Sequence, residues 1–331
     1  MGNKLLTIVV PVYKVEPYIN KCLDSCVLAD EKLMSQLEVI IVNDGTPDNS
    51  AEMSREYVKN YPQTFRQIDK ENGGHGSAWN VGLKEATGKY LRFLDSDDWL
   101  TNLDKLMEKL QKCDADCVLT HINNYHEDAN RNDKWAIAFG DFNKLNTLDD
   151  FSFTQLSGKT NAFNFWFCTY KTEVLKPLYP LFMEHVMYDD SILYAIPLLF
   201  AKSYICYDLV LYNYLTGRAG QSMNVAVKRK NITALCKTYQ YEMEFISQHI
   251  DNTHQSRHAA IHQIMASDSS FLLNMLVLLP YSEYNKALRA YKTYFHLECD
   301  EWKQSKMAQR FTKYSPAIFY LIEKLRQLMH K

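Results

Sequence analysis

No apolar run in this chain approaches the roughly 18–20 residues that a helix needs to cross a bilayer. Its 331 residues also carry no internal repeat, no low-complexity tract and no long Pro-, Gly- or Ser-rich linker. The opening "MGNKLLTIVVPVYK" has too short an apolar stretch for a secretory signal and no small-residue cleavage site. Gly2 makes no myristoylation motif, because Leu6 stands where Ser or Thr is required. Of the eight cysteines, Cys22/Cys26 and Cys113/Cys117 are four residues apart and form no Cys-x-x-Cys metal knuckle. Reduced, partly buried thiols of a cytoplasmic protein are the expectation. A strong charge of one sign is missing too: the net of −2 argues against a nucleic-acid partner.

What is there belongs to a globular chain, 47% hydrophobic and 23% charged. Its charge is uneven. Residues 201–331 hold 17 Lys+Arg against 10 Asp+Glu, a net of +7 that leaves −9 on residues 1–200. Five short apolar runs, "LLTIVVPVY" (5–13), "LEVIIVNDG" (37–45), "TFRQID" (64–69), "KYLRFLD" (89–95) and "ADCVLTHINNY" (115–125), have the β-branched character of buried strands. Helical patterns separate them. One follows Pro17 with Ile19, Cys22, Leu23 and Cys26 on one face, and another repeats Leu103, Leu106, Met107 and Leu110. Strands alternating with helices predict an α/β fold with a largely parallel sheet covered on both faces. The expected division is 1–115 as a nucleotide-binding half, 116–225 as a less regular acceptor-side half, and 226–331 as a helical region.

In open α/β sheets, ligands bind beyond the carboxyl ends of the strands. Asp44 falls at such an end, and so does the cluster Asp95, Asp97 and Asp98 in "DSDD". Carboxylates this close repel one another unless water or a cation separates them. Asp95 and Asp97 suit a hard divalent ion. A simple Asp-Gly turn at Asp44 and a solvated, helix-capping loop at "DSDD" are the alternatives. "GGHG" lacks the spacing of a dinucleotide fingerprint, so His75 reads as a loop residue. Asp189 and Asp190 precede the apolar "SILYAIPLLF" and suit either the first turn of a helix or a general base. Trp166 and Tyr170 in "NFWFCTY" suit stacking on a sugar face or burial in the core.

The ordered blocks "TIVVPVYKVEPYINKCLDS", "EVIIVNDGTPDNS" and "ENGGHGSAWNVGLKEATGKYLRFLDSDDWL" resemble those of a family 2 glycosyltransferase of the GT-A fold. "MYDDSIL" and "YNYLTGRAGQSM" resemble its later acidic and Arg-bearing segments. The resemblance implies an inverting enzyme with a nucleotide-sugar donor, often UDP-linked, and Mn²⁺ or Mg²⁺ as cofactor. Pro11, Tyr13 and Glu16 would line the nucleoside pocket, and Asp44 would bind the base. Asn72, Gly73 and Gly74 would let the backbone approach the nucleotide. Asp95, Ser96 and Asp97 would face ribose, metal and diphosphate, with both Asp residues as metal ligands, and Arg218 would meet the diphosphate. Asp190, or its neighbour Asp189, would be the base, and Trp166 and Tyr170 would contact the acceptor. One departure stands out: Trp79 in "AWNVG" replaces the Arg of the common Ala-Arg-Asn-x-Gly.

The Gln-x-x-Arg-Trp motif of processive synthases is not found, so a single-addition enzyme of surface or exopolysaccharide synthesis is expected, acting on a glycan or lipid-linked acceptor. Transfer to a polyprenyl phosphate, nucleotidyl transfer and a catalytically silent nucleotide-sugar-binding partner stay open. The C-terminal "AIFYLIEKLRQLMHK" (317–331) reads as a helix with Phe319, Ile322, Leu325 and Met329 near one face and Lys324, Arg326 and Lys331 for the other. It would lie on the inner face of the cell membrane as a peripheral contact, or else pack on the transferase domain or at a homodimer interface.

Overall fold

The computed structural model describes residues 4–127, 131–135, 142–150, 164–217, 225–253, 255–292, 303 and 306–329. These fall into two compact units, one within 4–217 and one within 225–329.

The first unit is built on β1 (Leu6–Val12), which is buried along its whole length. After the short helices α1 (Ile19–Asp24) and α2 (Glu31–Gln36) comes β2 (Leu37–Asn43), equally buried and parallel to β1 from Leu6↔Leu37 to Val12↔Asn43. Such unbroken apolar runs have no solvent face, so helices must cover both sides. α3 (Ser50–Asn60) leads to β3 (Phe65–Asp69), and α4 (His75–Glu85) leads to β4 (Tyr90–Phe93), which pairs parallel with the other edge of β1. Gly82 lets α4 lie close on the sheet: a Cβ there would meet Val9 Cγ1 at 2.1 Å. β5 (Trp99–Leu100), α5 (Leu103–Leu110) and β6 (Cys117–His126) follow.

The regular alternation stops there. β7 (Arg131–Trp135) pairs antiparallel with β6, and β8 (Leu145–Thr147) pairs antiparallel with β10 (Ser203–Thr216). β9 (Cys168–Lys171) enters antiparallel between β4 and β6. α6 (Thr172–Leu175) and α7 (Ile192–Phe200) precede β10, which runs parallel to β6 and antiparallel to β5. The order is β3-β2-β1-β4-β9-β6-β10-β5, and the sheet is mostly parallel, as the sequence implies. The ends of β1, β2 and β4 therefore open onto one edge. The seven cysteines among the described residues are buried and free.

The second unit is helical: Val225–Lys230, Ile232–His249, Gln255–Leu276, Tyr281–Tyr291, Lys306–Lys313 and Pro316–Met329. Its last helix corrects the expected face. Phe319, Tyr320 and Glu323 are buried, whereas Ile318, Leu321 and Leu325 are exposed. At 3.6 residues per turn, six residues carry Leu325 about 120° round the helix from Phe319. The inner face is fixed by Phe311 against Phe319 (ring centroids 5.1 Å), Tyr284 against Tyr320 (5.0 Å), the Arg310–Glu323 ion pair, and Lys324 Nζ, which donates to Val277 O at 3.0 Å. Lys331 lies outside the described residues.

Candidate active site

Asp44 follows β2 and is 2% exposed, so its charge must be met inside the protein. Lys70 Nζ (2.7 Å) and Gly73 N (2.9 Å) donate to Oδ1, and Gly74 N (2.8 Å) and Asn72 Nδ2 (3.1 Å) donate to Oδ2. The carboxylate thus organises the 70–74 loop with all four donors from its own chain. Gly74 has a left-handed φ of +88°, which favours glycine.

The acidic turn after β4 divides into two parts. Asp98 is buried and accepts from the Tyr212 hydroxyl (2.6 Å) and from Leu215 N (2.8 Å). Burial first, then the charges of Asp97 and Asp95, push its carboxyl well above the usual range. Tyr212 also accepts from Asp95 N at 3.2 Å, so β10 clamps the turn from both ends. Carboxylate atoms of Asp95, Asp97 and Asp98 all lie within 4.8 Å of one another. Since Asp98 already accepts through both oxygens, Asp95 and Asp97 are the residues that fit a divalent ion. Ser96 between them is buried.

A second group of acids faces this turn. Asp189 is buried, with Oδ1 3.2 Å and Oδ2 3.3 Å from His75 Nδ1. The other His75 nitrogen, Nε2, lies 3.0 Å from Asp95 Oδ1. Burial alone would lower the His75 pKa, but the Asp189 charge and the contacts to Asp189 and Asp95 outweigh it and hold the imidazole well above its ordinary value. Asp190 is half-buried and accepts from the Tyr194 hydroxyl at 2.8 Å. Burial and then the Asp189 charge push its carboxyl up to about 6, against the lowering effect of the Tyr194 bond.

The remaining candidates take varied places. Pro11 is buried at the end of β1, and Tyr13 just beyond it is 43% exposed. Glu16 turns toward the start of α3, where it accepts from Asn49 N at 3.2 Å. Trp166 stacks on Tyr214, with ring centroids 4.2 Å apart and planes at 28°. Tyr170 is 1% exposed and donates to Leu193 O at 2.9 Å, a core position with no face for a ligand. That corrects its expected contact with an acceptor. Trp79 is buried among His75, Phe93, Phe165 and Phe182. Arg218 lies outside the described residues. Tyr212, Tyr194 and Arg92 escaped the sequence reading: no local pattern marks Tyr212 or Arg92, which act through the tertiary fold, whereas the four-residue spacing of Tyr194 from Asp190 was a helical signal that could have found it.

A strand-end Asp, a clamped Asp-x-Asp turn and an acid pair joined to it through His75 thus gather beyond the strand ends of one sheet. The model of glycosyl transferase family 2 matches residues 7–175, and the chain belongs to that family. Among curated relatives, the uncharacterized glycosyltransferase EpsJ of Bacillus subtilis (strain 168) is 40% identical over 116 residues, 34% of this chain and 33% of EpsJ. That match spans about a third of the relative's own length. Among solved structures, S. aureus TarS 1-349 in complex with UDP-GlcNAc aligns with TM-score 0.55 and 18% identity, over 93% of this chain and 92% of that one. The mannosyltransferase PcManGT from Pyrobaculum calidifontis, in complex with GDP-Man and Mn²⁺, aligns with TM-score 0.51 and 16% identity, over 98% and 87%. At such identities the structures speak for the fold.

Proposed function

We propose that the first unit transfers a sugar from a nucleotide-sugar, UDP-linked in the simplest case, to a hydroxyl of a glycan or lipid-linked acceptor, with inversion. One observation carries the reading: Asp190, half-buried and bonded by the Tyr194 hydroxyl, faces the acidic turn of Asp95 and Asp97, and burial raises its carboxyl to about 6. A base poised near the working pH suits removal of a hydroxyl proton. A polyprenyl phosphate is already ionised and needs no such group. Asp190 takes the acceptor proton while Asp189, engaged by His75, holds its place. Tyr13, Ser96 and the 72–74 backbone line the donor side. Asp44 acts on the base through the loop it organises, and Trp166, stacked on Tyr214, offers a face to the acceptor. A divalent ion held by Asp95 and Asp97 would neutralise charge on the departing nucleoside diphosphate. TarS and PcManGT were solved with nucleotide-sugars, the latter with Mn²⁺, which supports the donor class and the ion.

Two carboxylates alone make a weak site that a diphosphate completes. UDP should therefore bind at least about tenfold tighter with Mn²⁺ than with EDTA, since disturbing even the hydrogen-bond partners of metal ligands costs about 10–100-fold. Calorimetric titration measures this. Equal affinity in the two conditions would remove the ion from the site.

A lipid-linked acceptor in surface polysaccharide synthesis gives the second unit a task. Ile318, Leu321 and Leu325 form an outward apolar stripe at i, i+3 and i+7. Among the described residues from 303 on, the exposed charged side chains are Lys303, Lys306, Lys313 and Arg326, all basic. Apolar and basic surface together suit an anionic lipid headgroup layer. Truncation would remove the buried Phe319, so substitutions are the better test. The full chain should sediment with phosphatidylglycerol-containing vesicles at low salt, and Ile318→Ser/Leu321→Ser/Leu325→Ser should lower the bound fraction severalfold. Binding indifferent to both salt and these substitutions would defeat the contact, and dimerisation through the stripe would appear in analytical ultracentrifugation without vesicles.

A further inference from the structure

His75 touches both acidic groups, and neither donor binding nor proton removal accounts for it. Its two nitrogens face carboxylates from distant parts of the chain, Asp95 at 3.0 Å and Asp189 at 3.2 Å. The ring is fixed from below by the buried Trp79, at 4.1 Å between centroids, where the family's common pattern has arginine. Asp189 approaches through the gap left by Gly76: a Cβ at that position would meet Asp189 Oδ2 at 2.4 Å and Met183 O at 2.7 Å. A glycine that admits the carboxylate, an indole that seats the ring and two acids aligned with its two nitrogens make a built connection. A carboxylate that ligates a cation is itself oriented by hydrogen bonds, and such partners set cation affinity.

We propose that His75 is a positioning residue that couples the two halves of the site: Asp189 orients the imidazole, and the imidazole orients Asp95 through Oδ1, leaving Oδ2 for the cation. The acid pair that serves the acceptor thereby reports on the donor side. Trp79 is the platform of this device. The proposal rests on the glycosyl-transfer reading for the cation at Asp95, for the acceptor role of the acid pair and for UDP as probe.

A double-mutant cycle read by binding, without turnover, tests it. With Mn²⁺ present, Asp189→Asn should weaken UDP on the order of tenfold in the otherwise unmodified chain, although Asp189 does not face the nucleotide side. His75→Ala should cost about as much, and Asp189→Asn added to it should change the affinity less than twofold. His75→Gln, which offers an amide donor at the Nε2 position, should stay within about threefold of the parent, and it is the second background if His75→Ala does not fold. Equal effects of Asp189→Asn with and without His75, or no effect in either, overturn the coupling. Failure of the unmodified chain to bind UDP would instead count against the donor reading. The coupling is then decided by chemical denaturation, where Asp95→Asn and Asp189→Asn should be non-additive with His75 present and additive with His75→Ala. Additivity in both backgrounds overturns it.

Discussion

Asp190→Asn should lower turnover by ~10²–10⁴, the range for loss of a general base, while leaving UDP affinity nearly unchanged. The substitution keeps the shape and the acceptor for Tyr194 and removes only the basicity. In the parent, the base is active when ionised, so the rate should fall as pH drops through about 6. The same tuning costs stability. The folded-state pKa of Asp190 is raised, so ionising it disfavours the native state: the penalty is absent below about pH 4, grows between there and about 6, and is full above. Asp190→Asn should therefore stabilise the protein at pH 7 by up to about 3 kcal/mol, with no gain at pH 4. Urea denaturation at the two pH values measures this beside the kinetics. Turnover within threefold of the parent would sink the base assignment. If Asp189→Asn alone abolished turnover without touching UDP affinity, the base would be Asp189.

What was legible in the sequence follows from how local each signal is. β1 and β2 are buried on both faces, so they appear as continuous apolar runs, and Asp44 and Asp95 follow because strand ends can be counted. Asp98 was legible only as a third acid of the cluster. Its burial and its bonds to Tyr212 and Leu215 join residues more than a hundred positions apart, and nothing local distinguishes a clamped carboxylate from a ligand. β9 was hidden for a related reason: four residues entering antiparallel between β4 and β6 carry no periodicity long enough to read. His75 read as a loop residue because its partners lie on segments brought together only by the fold. The error at the C-terminal helix was geometric, since a spacing of six residues does not keep two side chains on one face.

Arg92→Met should destabilise the protein by about 3–5 kcal/mol, the cost of losing three hydrogen bonds made by a buried charged group. Arg92 is 0% exposed in the middle of β4, three residues before Asp95, and burial lowers its pKa to about 10, so it is still charged at neutral pH. It forms no ion pair among the described residues. Instead Nη1 donates to Cys168 O and Thr169 Oγ1, both at 2.9 Å, Nη2 donates to Trp166 O, and the guanidinium lies 5.4 Å from the Tyr212 ring centroid. Methionine fills much of the volume but removes the guanidinium's donors from those oxygens, and each buried hydrogen bond lost to a charged group costs about 1.5–3 kcal/mol. Relief of the buried charge offsets part of this, so the net lies below the sum. Arg92→Lys should recover only part of the loss, because one ammonium cannot reproduce the planar fork. The site should register the change as well. The bonds to residues 166–169 tie the strand that delivers Asp95 to the segment that carries Trp166, and their loss frees that aromatic wall. Urea denaturation gives the stability and acceptor KM gives the second effect. A loss below about 1 kcal/mol, or an unchanged KM in a variant destabilised as expected, would show that this arginine serves the core without setting the wall.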